Sequence, residues 1–84
     1  MMKVRYTGCD GKYIIYPIGE MTLKAADKLK SFMRKLLKLG GYCYTLDLKE
    51  VKHIDLDGLH ALHSINSLLE LRGKSFQIRE TPPS

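Results

Sequence analysis

His53, Asp55, Asp57, His60 and His63 crowd into one short stretch of the chain, and the chemistry they first suggest is metal binding or acid–base catalysis. His60 and His63 are spaced three apart, so on a helix they share one polar face. No His-Glu-x-x-His pattern accompanies them, and no tetrahedral ligand set follows from the spacing, so neither a metal nor another cofactor is expected. Solvent-facing imidazoles rimming an interface are the plainer reading, with a response to pH as a weaker one. Ser64 and Ser67 lie nearby without the spacing of a nucleophile, a base and an orienting acid. No catalytic residue is therefore assigned, and an enzyme is not expected. What stands out is Asp55-Leu56-Asp57-Gly58. It puts two carboxylates where the backbone donors of a helix start are exposed. Either can accept a capping hydrogen bond, worth about 0.5–2 kcal/mol. Gly58 follows where close packing or an unusual dihedral is needed.

The elements that must position these residues follow from pattern and punctuation. Lys3–Thr7 alternates around Val4 and Tyr6, Gly8-Cys9-Asp10-Gly11 supplies turn chemistry, and Lys12–Tyr16 follows. A β-hairpin is predicted. Pro17 should end regular pairing or occupy an edge. Thr22 then reads as the N-cap of a helix from about Leu23 to Leu39. Its apolar stripe is Leu23, Ala26, Leu29, Phe32, Met33, Leu36 and Leu37. Gly40-Gly41 stops it, and Tyr42–Leu48 reads as an interior strand. A second helix is predicted from about Gly58 to Arg72, turning Leu59, Ala61, Leu62, Ile65, Leu68 and Leu69 towards the sheet. Gly73 ends it before a strand at Lys74–Ile78, and the crossover is long enough for parallel pairing, with the right hand expected. The fold class is α/β: an N-terminal hairpin followed by two helix–strand steps, in the order β-β-α-β-α-β.

A chain of 84 residues holds one domain with a modest core, since only about 60–65% of the extended surface is buried at this size. We expect a single domain over 1–80 and a loose tail at 81–84, where Thr81-Pro82-Pro83-Ser84 can extend neither a strand nor a helix. An apolar fraction of 44% argues against a disordered basic tail. Fourteen basic residues against nine acidic ones give +5, much of it between Lys24 and Lys38. Lys24, Lys28, Arg34, Lys35 and Lys38 form a possible basic patch for nucleic acid or anionic membrane, although a solubilising face is the simpler reading. No RGG tract, aromatic-rich basic sheet motif or zinc-finger spacing supports nucleic acid. Cys43, between Tyr42 and Tyr44, reads as a buried small hydrophobe. Only one other cysteine, Cys9, is present. With neither a signal peptide nor a long apolar span, a reducing cytoplasmic setting is expected, with no transmembrane segment.

From Tyr13 to Ile78 the chain resembles the STAS family, the domain shared by anti-sigma factor antagonists and the cytoplasmic tails of sulfate transporters. The residues that carry the likeness are Ile18-Gly19-Glu20-Met21, before the first helix, and above all Leu46-Asp47-Leu48-Lys49-Glu50-Val51-Lys52-His53-Ile54-Asp55-Leu56-Asp57-Gly58-Leu59. In bacterial antagonists of this family a serine directly before that glycine is phosphorylated by a partner kinase that also acts as an anti-sigma factor. Here the position is Asp57, and neither residue between Asp55 and Gly58 carries a hydroxyl, so this loop has no phosphorylation site. Aspartate brings about one negative charge against roughly −1.5 to −2 for phosphoserine, a partial and permanent imitation of the phosphorylated state. The resemblance also implies a further helix, and often another strand and helix, after the strand at Lys74–Ile78. The chain ends at Ser84 instead, which would leave a sheet edge open to a homodimer or a larger partner.

The resemblance thus implies a non-enzymatic protein-interaction module similar to an anti-sigma factor antagonist. Its partner-binding residues would be Asp55, Leu56, Asp57, Gly58, Leu59, His60, His63 and Ser67, with Asp57 as a fixed charge. The partner would be a regulatory protein, either an anti-sigma factor kinase or a transporter ATPase. The alternatives are a STAS-like assembly subunit of a transporter and a basic-surface binder of nucleic acid or anionic membrane.

Overall fold

The computed structural model describes residues 3–79; the expected tail at 81–84 and residues 1, 2 and 80 of the expected 1–80 domain lie outside them. The order is β1 (Lys3–Cys9), β2 (Lys12–Met21), α1 (Leu23–Lys38), β3 (Cys43–Asp47), β4 (Val51–Ile54), α2 (Leu56–Leu71) and β5 (Ser75–Arg79). The α/β class and the hairpin start agree with the sequence, with β4 as an additional strand.

The hairpin closes through Asp10-Gly11, with Cys9 opposite Lys12. Both loop residues have positive φ, 53° and 79°, the condition of a type I′ turn, and Asp-Gly is a pair that meets it. β2 does not end at Tyr16. It continues through the buried Pro17 to Met21 as an interior strand, antiparallel to β1 on one side and parallel to β3 and then β4 on the other. Lys12–Ile15 pairs with β3, and Gly19–Met21 with β4. Pro17 falls in the gap between these ladders, where neither asks for the donor it lacks.

β3 pairs in parallel with β5, placing Tyr44 beside Phe76 and Leu46 beside Ile78. Tyr42, expected within β3, precedes it and is exposed; its N–H donates to the Gly11 carbonyl at 2.8 Å. Asp47 ends β3 as a buried carboxylate. It accepts from the Lys49 N–H at 3.0 Å and lies 3.8 Å from the Arg79 guanidinium. That bond shapes the short turn from β3 into β4.

Both helices lie on one face of the sheet, packed against each other, α1 over β2 and α2 over β5. Between them and the strands sit Ile15, Met21, Leu29, Met33, Leu36, Tyr44, Leu46, Leu62, Ile65 and Leu69, all essentially inaccessible. The stripes differ from expectation at their margins. Leu23 is 52% exposed and Leu59 44% exposed, while Ala25 is buried; Leu68 is only half-buried. Cys43 is half-buried rather than in the core, and both cysteines are free thiols. Tyr44 stacks on Tyr13 with ring centroids 5.9 Å apart, and its hydroxyl has no partner among the described residues. Burial first, and then the neighbouring Tyr13, push its pKa above the ordinary 10.0.

Candidate functional site

α2 begins two residues before the position its glycine suggested. Asp55 keeps an extended backbone, φ −86° and ψ 176°, and its carboxylate accepts the Gly58 N–H at 2.7 Å. That is the geometry of an N-cap, and it satisfies one donor left open at the helix start. The Asp55 N–H donates in turn to the Met21 carbonyl at 3.3 Å, at the end of β2. Thr22 follows directly and caps α1, accepting from the Ala25 N–H at 3.3 Å. The two helix mouths therefore open side by side at one end of the sheet.

Gly58 makes that approach possible. It is buried, and a Cβ there would collide with the Met21 carbonyl. Of the two acids, then, Asp55 builds the mouth with Gly58, and Asp57 is left over. Asp57 lies in the first turn of α2, is exposed, and has no side-chain hydrogen bond or ion pair to another described residue. A carboxylate there is favoured by the partial positive charge of the helix start, worth about 0.3–1 kcal/mol.

The turn of α2 that holds Asp57 also exposes apolar side chains, although Leu59, two positions on, points to the opposite flank of the helix. Leu56 is 67% exposed, and Leu59 and Leu23 about half so. His60, His63 and Ser67 are exposed further along α2; on a helical wheel they fall opposite the buried Gly58, Leu62, Ile65 and Leu69. The structure thus places Leu56, Asp57, Leu59, His60, His63 and Ser67 at the surface, with Asp55 half-buried and Gly58 buried beneath them.

Among the described residues, no group of three or more His, Cys, Asp or Glu side chains is placed to hold a metal ion. No serine or histidine enters a side-chain hydrogen bond there. Lys24, Lys28, Arg34, Lys35 and Lys38 are all exposed on α1. No helix among the described residues is long and apolar enough to cross a membrane. The residue that sequence reasoning left without a role is Asp47. An acid at the end of an apolar strand, two residues before a turn, was the available signal.

No protein-family model matches the chain, and no curated protein matches it. Solved structures do. All of the chain aligns with 74% of the anti-sigma factor antagonist SpoIIAA in its unphosphorylated form, with a TM-score of 0.73 and 13% identity. A second match, an uncharacterized protein with a SpoIIAA-like fold from Shewanella loihica, takes in 98% of this chain and 86% of that one, with a TM-score of 0.55 and 8% identity. The chain has a STAS-like fold, as the motif around Asp57 implied.

Proposed function

We propose that the chain is a non-enzymatic protein-interaction module of the anti-sigma-factor-antagonist type, in which the mouth of α2 meets a regulatory protein in the cytoplasm. The observation that carries this reading is the division of labour between the two acids. Asp55 already caps the helix, so Asp57 is not needed for the cap and stands in solvent next to the exposed Leu56. A charge and exposed leucines sharing one helix mouth match how interfaces are built: the leucines supply buried area, and the charge selects the partner.

Asp57 occupies the position that is a phosphorylatable serine in the family the sequence resembles. It acts as a fixed negative charge there, smaller than a phosphate and not removable by a phosphatase. The partner is a regulatory kinase or a transport ATPase that reads this charge through a basic residue or is repelled by it. His60, His63 and Ser67 border the contact.

Site-specific photo-crosslinking tests the location. A benzoylphenylalanine at Leu56 should trap a defined protein in cells, while the same probe at Leu71, exposed at the opposite end of α2, should not. Equal trapping from both ends would remove the mouth of α2 as the docking site.

A further inference from the structure

β1 pairs with β2 alone among the described residues, so its other side is a sheet edge. In a two-residue hairpin the pair flanking the turn, here Cys9 and Lys12, is hydrogen-bonded, and pairs then alternate along the ladder. With Val4 opposite Pro17, Tyr6 opposite Ile15 and Gly8 opposite Tyr13, the backbone N–H and C=O groups of Val4, Tyr6 and Gly8 point to the free edge. The side chains of Val4 and Tyr6 turn towards the helices, where Val4 packs against the core and the Tyr6 ring lies 5.2 Å from Phe32.

Beside this edge runs an open groove of about 620 Å³ lined by Val4, Phe32, Lys24, Lys28, Lys35, Ser31 and Asp27. Its floor is apolar and its α1 wall carries three lysines against one acid. The opposite face of β1 adds Lys3 and Arg5, both exposed. A strand laid along β1 would find unpaired main-chain groups, apolar floor for alternate side chains, and cations on both faces.

We infer that the β1 edge and the α1 groove bind an extended acidic segment of a partner protein by strand addition, at a site separate from the mouth of α2. Main-chain bonds to Val4, Tyr6 and Gly8 hold the segment, its inward apolar side chains cover Val4 and Phe32, and its carboxylates meet Lys3, Arg5 and the α1 lysines. A second copy of this chain fits the groove poorly. Antiparallel pairing of two β1 strands would bring the two α1 helices together on one face and set the row of Lys24, Lys28 and Lys35 against itself.

The test is amide hydrogen exchange by NMR on the whole chain, with an acetylated peptide of alternating glutamate and valine as the probe. The Val4 and Tyr6 amides should exchange freely alone and become protected with the peptide, while the α2 amides do not change. Lys28→Glu combined with Lys35→Glu should weaken binding by about tenfold. Val4→Pro removes one edge donor without breaking the ladder to β2, and should weaken it too. The inference is overturned if Val4 and Tyr6 remain unprotected at saturating peptide, or if a lysine–valine peptide binds equally well. It is also overturned if a thymidine oligonucleotide gives the same protection, or if protection appears with protein concentration alone.

Discussion

Helices α1 and α2 are both sixteen residues long and lie side by side on the same sheet face, yet they present different surfaces. α1 segregates more sharply: Ala25, Ala26, Leu29, Met33 and Leu36 are buried, Lys24, Lys28, Arg34, Lys35 and Lys38 face solvent, and of its large apolar side chains only Leu23, at its start, is half in water. α2 buries Leu62, Ile65 and Leu69 but leaves Leu56, Leu59 and Leu71 in water. Two of these three leucines, Leu56 and Leu59, lie in the first turn of α2, where the carboxylate of Asp57 also stands, so the start of α2 exposes apolar area with one acid where α1 exposes mainly cations.

The contrast can be broken first at Gly58. Gly58→Ala should cost about 2–3 kcal/mol in a urea titration, because the added methyl meets the Met21 backbone, and this outweighs the roughly 1 kcal/mol by which alanine favours a helix. A neutral result would mean that β2 and α2 do not meet as described. Next in size is the cap: Asp55→Ala should cost about 1 kcal/mol. Thr22→Ala should cost less, since its bond is 3.3 Å against 2.7 Å for Asp55 and a hydroxyl brings no charge to the helix start. An equal loss at both caps would erase this difference between the two starts.

Smaller again is Leu56→Lys, which should leave stability within about 0.5 kcal/mol, because the side chain is mostly in water already; a larger loss would show that it packs. The smallest effect at neutral pH is that of Tyr44→Phe, which removes a buried hydroxyl that has no described partner and should be nearly neutral. Its signature is alkaline. With the folded-state pKa raised, the folded chain keeps a proton that the unfolded chain loses, so stability falls as pH rises from the ordinary tyrosine value through the raised one. The Phe variant should lose that part of the decline, which parallel thermal melts above pH 10 would read.

What the sequence revealed was local chemistry. Gly8-Cys9-Asp10-Gly11 announced a turn, although its first two residues belong to β1, Thr22 announced its cap, and the centre of the α1 stripe followed from spacing, because each depends on neighbours within a few residues. β4 was hidden, since Val51-Lys52-His53-Ile54 is four residues long and becomes a strand only by pairing with the far end of β2. The same distant pairing explains Pro17: its missing donor is tolerated only because β3 and β4 leave a gap there. At the site, periodicity placed both acids at a helix start without deciding which one capped it. That choice rests on the extended backbone of Asp55 and on the contact of Gly58 with Met21, and both are tertiary. The exposure of Leu59 was invisible for the same reason, because it sits at the margin of a stripe whose centre is set by the sheet.

The measurement that bears most directly on the central claim is quantitative partner recovery by affinity purification with wild type, Asp57→Ala and Asp57→Ser, with thermal stability measured on the same samples. The account predicts a stability loss of about 0.5 kcal/mol from the lost charge at the helix start, smaller than the loss at the Asp55 cap, and recovery that changes markedly when the charge is removed. Equal recovery from all three proteins, or a stability loss at Asp57 as large as that at Asp55, would contradict it.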